Sequence, residues 1–277
     1  MKSTRVFGSF KRAFGVSTAV IGLVGLLALS GSTASADPAA TQHGKKPTVV
    51  LVHGAFADSS SWEGVVERLQ GRGYTVVAPA NPLRGLASDA AYLESFLKTV
   101  QGPVVLVGHS YGGAVISEAA TTDPQVKALV YIAAFQPETG ESAGALSAQF
   151  PGSKLGPDTT TVVPYSGGAD LYLNQADFHA VFAADVPADK AAEMAATQRP
   201  ADTRALSETI QGAPAWHTIP SWALVATQDQ AIPAAAERFM SARAHSHTIE
   251  VKASHAVAVS RPDVVTDLIS DAARSVK

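Results

Sequence analysis

Gly108-His109-Ser110-Tyr111-Gly112 follows four aliphatic residues, Val104-Val105-Leu106-Val107, and precedes helix-forming sequence from Ala114 to Ile116. A serine between glycines at a strand-to-helix junction requires a turn so tight that the chain passes close to itself on both sides of the serine. Glycine permits that approach because it has no Cβ. The turn leaves a hydroxyl standing above a sheet edge, with the next backbone N–H aimed at the same space. Few architectures contain such a junction, and the segment reads as a nucleophile elbow with Ser110 at its tip.

A serine hydroxyl is a weak nucleophile at neutral pH, so this reading requires a base and a carboxylate that fixes the tautomer of the base. Both partners are present, in the order serine, acid, histidine. The apolar run Trp222-Ala223-Leu224-Val225-Ala226 ends in Thr227-Gln228-Asp229, and Thr248-Ile249-Glu250-Val251 leads through Lys252-Ala253-Ser254 to His255. Asp229 and His255 thus fall just past strand ends, where a parallel sheet gathers its functional loops. Upstream, Thr48-Val49-Val50-Leu51-Val52 runs into His53-Gly54-Ala55-Phe56. A His-Gly turn after an early strand suits a backbone N–H that complements the one following the nucleophile.

Around these motifs the chain alternates strand and helix patterns, which predicts an α/β sheet covered on both faces. Strands are expected at 49–52, 75–80, 104–107, 128–134, 221–226 and 248–251. A capping box at Ser60-Ser61-Trp62-Glu63 starts one helix, a second is capped near Ser88, and Pro262 opens the last. The alternation breaks between Phe135 and Pro220. That stretch is too long for one crossover helix; it opens rich in Gly, Ser, Pro and Thr and continues into Ala-rich helical patterns around residues 175 to 210. Loops of such length are usually functional.

With these residues in place, the chain resembles the α/β-hydrolase superfamily over roughly residues 47 to 275. It is most similar to the small cap-bearing esterases that include plant methyl esterases, hydroxynitrile lyases and many bacterial carboxylesterases. The resemblance implies a mostly parallel central sheet with helices on both faces and an inserted helical cap. It divides the chain into a core of 37–135 and 218–277 and a cap of 136–217. It also implies Ser110 as nucleophile, Asp229 as triad acid, His255 as general base, and the N–H groups of Ala55 and Tyr111 as oxyanion donors, with Phe56 an alternative to Ala55. The context Asp229-Gln230-Ala231-Ile232-Pro233 fits the family's habit of a proline four residues after the acid.

Residues 1–36 contain Lys2, Arg5, Lys11 and Arg12, no acidic residue, an apolar stretch from Ala13 to Leu29 and then Ala34-Ser35-Ala36. That succession predicts a secretory signal peptide, a secreted enzyme and no stable membrane insertion after cleavage. Four of the 21 basic residues and none of the 24 acidic ones lie there, so the remainder holds 17 against 24. Its basic residues are scattered, which argues against nucleic acid as a partner. The chain has no cysteine, which excludes disulfides, thiolate metal sites and a cysteine nucleophile. No His-rich helical motif predicts a metal, and no cofactor is called for.

The expected chemistry is hydrolysis of small uncharged carboxylic esters through an acyl-enzyme. Tyr172, Phe178, Phe182 and Trp216 of the cap are candidates to line an apolar pocket beside Phe56 and Phe135, although 178 and 182 also have the spacing of helical core residues. The remaining alternatives are a hydroxynitrile lyase or a perhydrolase on this fold, and a non-catalytic binding protein. Plant lyases carry lysine after the triad histidine and threonine in the His-Gly pair, where this chain has Ala256 and Gly54. Dehalogenases and epoxide hydrolases place aspartate where Ser110 stands.

Overall fold

The computed structural model describes residues 46–276; the stretch 1–36 read as a signal peptide lies outside them. The first half of the core comprises β1 (Thr48–Val52), α1 (Glu63–Gly71), β2 (Val76–Val77), α2 (Leu86–Leu97), β3 (Val104–Ser110), α3 (Tyr111–Ala119) and β4 (Val126–Ala134). An insertion follows, with α4 (Ala143–Ala148), β5 (Thr160–Tyr165), β6 (Gly168–Leu173), α5 (Gln175–Val181), α6 (Ala188–Thr197), β7 (Ala201–Asp202) and α7 (Thr203–Ser207). The core resumes at β8 (Ser221–Ala226), α8 (Ala234–Arg243), β9 (His247–Val251), α9 (Val257–Ser260) and α10 (Pro262–Ser275).

Six strands form one sheet in the order β2-β1-β3-β4-β8-β9, and every neighbouring pair is parallel. A parallel strand covered on both faces needs apolar residues at every position, which is why β1 and β3 read as unbroken aliphatic runs. Every residue of both strands is buried. Their side chains alternate between two cores. Val49, Leu51, Val105 and Val107 meet Val65 and Leu69 of α1 and Val265, Leu268 and Ile269 of α10. Val50, Val52 and Leu106 belong to the core of the other face, with Leu93 and Leu97 of α2, Ile116 of α3 and, further along the sheet, Met240 of α8. Each fully buried aliphatic side chain of this kind contributes about 1.5–3 kcal/mol.

Three local expectations differ from the fold. The strand expected at 75–80 is only Val76–Val77, because Pro79 lacks the N–H that would extend the ladder. The capping box expected at Ser60 does not form: the Asp58 carboxylate accepts the Ser60 N–H at 2.7 Å and caps a 3-10 turn over Ser59–Trp62, which leads into α1 without a side-chain cap of its own. The second helix begins at Leu86 rather than near Ser88, and the Ala87 N–H donates to Glu208 of the insertion at 3.2 Å.

Besides the helices expected of a cap, the insertion contains a second, three-stranded sheet. Its centre is an antiparallel hairpin of β5 and β6, closed at Tyr165 and Gly168, with β7 paired to β6 on the other side. The β-branched run Thr160-Thr161-Val162-Val163 and the turn at Ser166-Gly167, where Gly167 has φ +95°, account for it. Of the short helices α4 to α7, α7 packs against β6 and β7, α4 against α7, and α5 against α6.

Candidate active site

The turn at Ser110 has the strain that the sequence implies. Ser110 ends β3 and precedes α3 with φ 54° and ψ −126°, a conformation that L-residues adopt only when the surroundings enforce it. Its carbonyl accepts the Phe135 N–H at 3.1 Å, which ties the elbow to the end of β4. A Cβ on Gly112 would stand 2.5 Å from the Val52 carbonyl oxygen, so only glycine lets α3 approach β1 this closely.

Ser110, His255, Ala55, Phe56 and Phe135 all line one cavity of about 620 Å³. Asp229 stands behind His255. The His255 Nδ1–H donates to Asp229 Oδ2 at 2.5 Å, and Asp229 Oδ1 accepts the N–H groups of Ala231 and Ile232 at 2.7 and 2.9 Å. Three donors converge on this carboxylate, and it fixes the histidine tautomer with Nε2 free to accept. His255 and Asp229 are almost fully enclosed, at 1% and 5% exposure, so this charge acts in a poorly screened setting.

Two backbone donors flank the serine. Tyr111 is the first residue of α3, and first-turn amides have no partner within their helix. Its side chain is anchored elsewhere: the phenol donates to buried Asp89 Oδ2 at 2.8 Å, and burial together with that carboxylate pushes the phenol far above its ordinary range. At the other strand end, the Phe56 N–H donates to the Arg199 carbonyl at 3.0 Å, so Phe56 does not serve as the alternative donor. The Ala55 N–H meets no backbone acceptor among the described residues. His53 shapes this loop: its Nε2 accepts the Asn81 N–H at 2.9 Å, leaving Nδ1–H to donate to the Gly54 carbonyl at 3.0 Å. Burial lowers the pKa of His53 and keeps the ring neutral for that role.

His109 packs in the core next to the elbow and forms a hydrogen bond there. Its Nε2–H donates to the His255 carbonyl at 2.9 Å, and the ring sits edge-on to Trp62 and Phe182.

The cavity wall is apolar, and His255 is the only titratable side chain on it among the described residues. Of the aromatic candidates, Phe182 lines the cavity and meets the His255 ring edge-on at 4.8 Å, while Phe178 stacks behind Phe182 in the core. Tyr172 is not on the wall. Neither is Trp216, proposed from sequence as a substrate contact; its indole N–H donates to the Pro137 carbonyl at 3.0 Å and the ring is buried beside the root of the insertion. Phe150, Leu155, Leu171 and Leu206 of the insertion and Ile232 of the acid loop complete the wall. Nothing in their spacing announced them, because they come from separate short elements.

The insertion is hydrogen-bonded to all three loops that carry the site. Lys154 N–H and the Ser153 hydroxyl donate to the carbonyls of Gln230 and Ala231 beside Asp229. Arg199 holds Phe56. The Phe182 carbonyl accepts the Ala256 N–H at 2.9 Å, and Asp185 accepts the hydroxyls of Ser254 and Ser260 around His255.

A model of the alpha/beta hydrolase family matches residues 49–268. Among characterised relatives, the carbendazim hydrolyzing esterase of Nocardioides sp. (strain SG-4G) is 36% identical over 110 residues. That match covers 35% of this chain and 46% of the relative, less than half its length. The pyrethroid hydrolase of Sphingobium wenxiniae is 28% identical over 255 residues, covering 80% of this chain and 86% of the relative. A solved pyrethroid hydrolase from Sphingobium faniae JZ-2 superimposes with a TM-score of 0.69 at 22% identity, over 83% of this chain and 98% of that one. Tomato methylketone synthase I, complexed with 2-tridecanone, gives 0.71 at 20% identity over 84% and 99%. Both solved structures speak to the fold.

Proposed function

The chain belongs to the alpha/beta hydrolase family, and from that premise we propose that it is a serine esterase that cleaves uncharged carboxylic esters through an acyl-enzyme. The observation that carries this reading is the chain of contacts from cavity to carboxylate. Ser110 and His255 line the same cavity, and His255 Nδ1 is bound to Asp229 behind it. Ester hydrolysis is also the activity for which the carbendazim hydrolyzing esterase is named.

In the proposed reaction His255 takes the proton of Ser110 as the oxygen attacks the ester carbonyl. The Ala55 and Tyr111 amides receive the developing oxyanion; one such donor is worth about 3 to 4 kcal/mol of barrier. His255 then protonates the departing alcohol, and a water that gives its proton to His255 releases the acid and restores Ser110. The Asp229 carboxylate stabilises the imidazolium formed in each half. The apolar wall supports an uncharged substrate, and the cavity volume accommodates an aryl or short alkyl group. The leader-like composition of residues 1–36 supports a secreted enzyme.

The test is labelling with a fluorophosphonate probe, beside S110A, together with hydrolysis of p-nitrophenyl acetate, butyrate and palmitate. Labelling that disappears in S110A, with the short esters turned over fastest, is the expected result. A folded protein that the probe does not label overturns the serine assignment and leaves a binding protein as the reading.

A further inference from the structure

A second carboxyl group lies directly behind the candidate acid. Glu237 is on the inner face of α8 with Ala236 and Met240, and is 3% exposed. Its Oε2 accepts the Ala226 N–H at 3.1 Å, at the end of β8. The Asp229 N–H returns to the carbonyl of that same Ala226 at 3.1 Å, so the two carboxyl groups hang from one point of the sheet. The other oxygen of Glu237, Oε1, is enclosed and meets no N–H or O–H donor. Its side-chain neighbour is the Asp229 carboxylate.

Two ionised carboxylates cannot share a dry site without strong repulsion, and a buried oxygen left without a partner is itself costly. A single proton between them removes both penalties. Asp229 already receives three hydrogen bonds, which stabilise its charge, whereas Glu237 receives one. The proton therefore resides on Glu237. An ionised carboxylate has about four acceptor positions, and a donor on Glu237 would supply the fourth to Asp229.

We infer that Glu237 is a neutral carboxylic acid whose O–H donates to Asp229, a positioning residue that aims the Asp229 carboxylate at His255 and leaves it the sole negative charge of the pair. The inference rests on the triad reading above for its catalytic consequence. The groups acting on Glu237 agree with it. Burial first, then the Asp229 charge, hold its carboxyl well above the usual range; the Arg238 guanidinium opposes them but is turned outward to Glu250 at 2.7 Å.

The test compares the full-length wild type with E237Q and E237L. At neutral pH the wild type is expected to show the infrared carbonyl band of a protonated carboxylic acid, and E237Q is expected to lack it. Because glutamine is neutral and keeps an N–H donor, E237Q should retain kcat/KM within about threefold, with the acid limb of its pH profile unmoved. E237L removes the donor, and kcat should fall about 10- to 100-fold, as outer partners of catalytic groups commonly cost, with KM little changed. Absence of the band in the wild type overturns the inference. So does a downward shift of the acid limb by about a unit in E237Q, which would mean that a charge had been removed. A folded E237L with wild-type kcat overturns the positioning role; if E237L does not fold, the band and E237Q decide. The band is read without turnover, so it persists in S110A. Failure of probe labelling would sink the serine reading while leaving the proton assignment to stand on its own result.

Discussion

His109 holds His255 by its main chain rather than its ring: the Nε2 of one lies 2.9 Å from the carbonyl oxygen of the other, with the two rings 4.7 Å apart. Burial, reinforced by the charge that His255 can carry, pushes the pKa of His109 down to about 3 from 6.5. On unfolding it returns to the ordinary value. Between these limits the unfolded chain binds a proton that the native protein does not, so this contribution to stability is complete above 6.5 and is lost as the pH falls toward 3. The slope from one proton is about 1.4 kcal/mol per pH unit, and neutral His53 adds in the same direction. Urea midpoints measured from about pH 7.5 to about pH 5 should fall steeply for the wild type. H109Q should be less stable at the upper end and flatter by about one proton's slope; equal slopes would refute the account.

Gly54 faces the elbow so closely that a Cβ there would stand 2.6 Å from the Ser110 Cβ and 3.1 Å from its Oγ. G54A must therefore move the nucleophile or the loop carrying Ala55. The expected result is a folded protein whose kcat/KM drops about 100-fold, the usual effect of misplacing a reacting group by about 1 Å. Circular dichroism and single-turnover labelling separate this from unfolding. Wild-type turnover in G54A would exclude the close packing as a functional constraint.

Leu206 comes from α7 and contributes to the cavity wall. L206W should narrow the cavity, reducing kcat/KM for a bulky aryl ester about tenfold, or about 1.4 kcal/mol, while leaving p-nitrophenyl acetate nearly unaffected. An equal loss on both substrates would move Leu206 from selectivity to structural support.

Trp216 gives the opposite expectation. Its indole N–H satisfies the Pro137 carbonyl away from the cavity, so W216F should cost about 1 kcal/mol of stability and leave KM unchanged for every ester. A KM change confined to aryl esters would return Trp216 to the substrate pocket.

The sheet and the serine turn were legible because their physics is local. Strands buried on both faces must be aliphatic throughout, and β1, β3 and β8 lead to Ala55, Ser110 and Asp229, while the half-exposed edge strand β9 leads to His255. The hairpin within the insertion is not legible because its Val162 and Val163 are 55% and 45% exposed, so the strand lacks a clear buried alternation, and Ala-rich segments nearby dominate the pattern. The bond of His109 to a carbonyl 146 positions later has no sequence signature. Glu237 did leave a trace, as a carboxyl between Ala236 and Met240 on the buried face of α8. Only the fold reveals that another carboxylate waits there.

The hydrogen bonds that tie Lys154, Ser153, Arg199, Phe182 and Asp185 to the three site-bearing loops have a consequence for how such proteins diversify. A pocket wall fastened to the acid, histidine and amide loops at once is not an interchangeable cassette. Grafting the corresponding segment from a relative would transfer a new wall but sever fastenings that hold the reacting groups in register. New selectivity is therefore reached more readily by point changes at wall side chains such as Leu171 and Leu206, whose backbones remain where they are, than by recombination of whole segments.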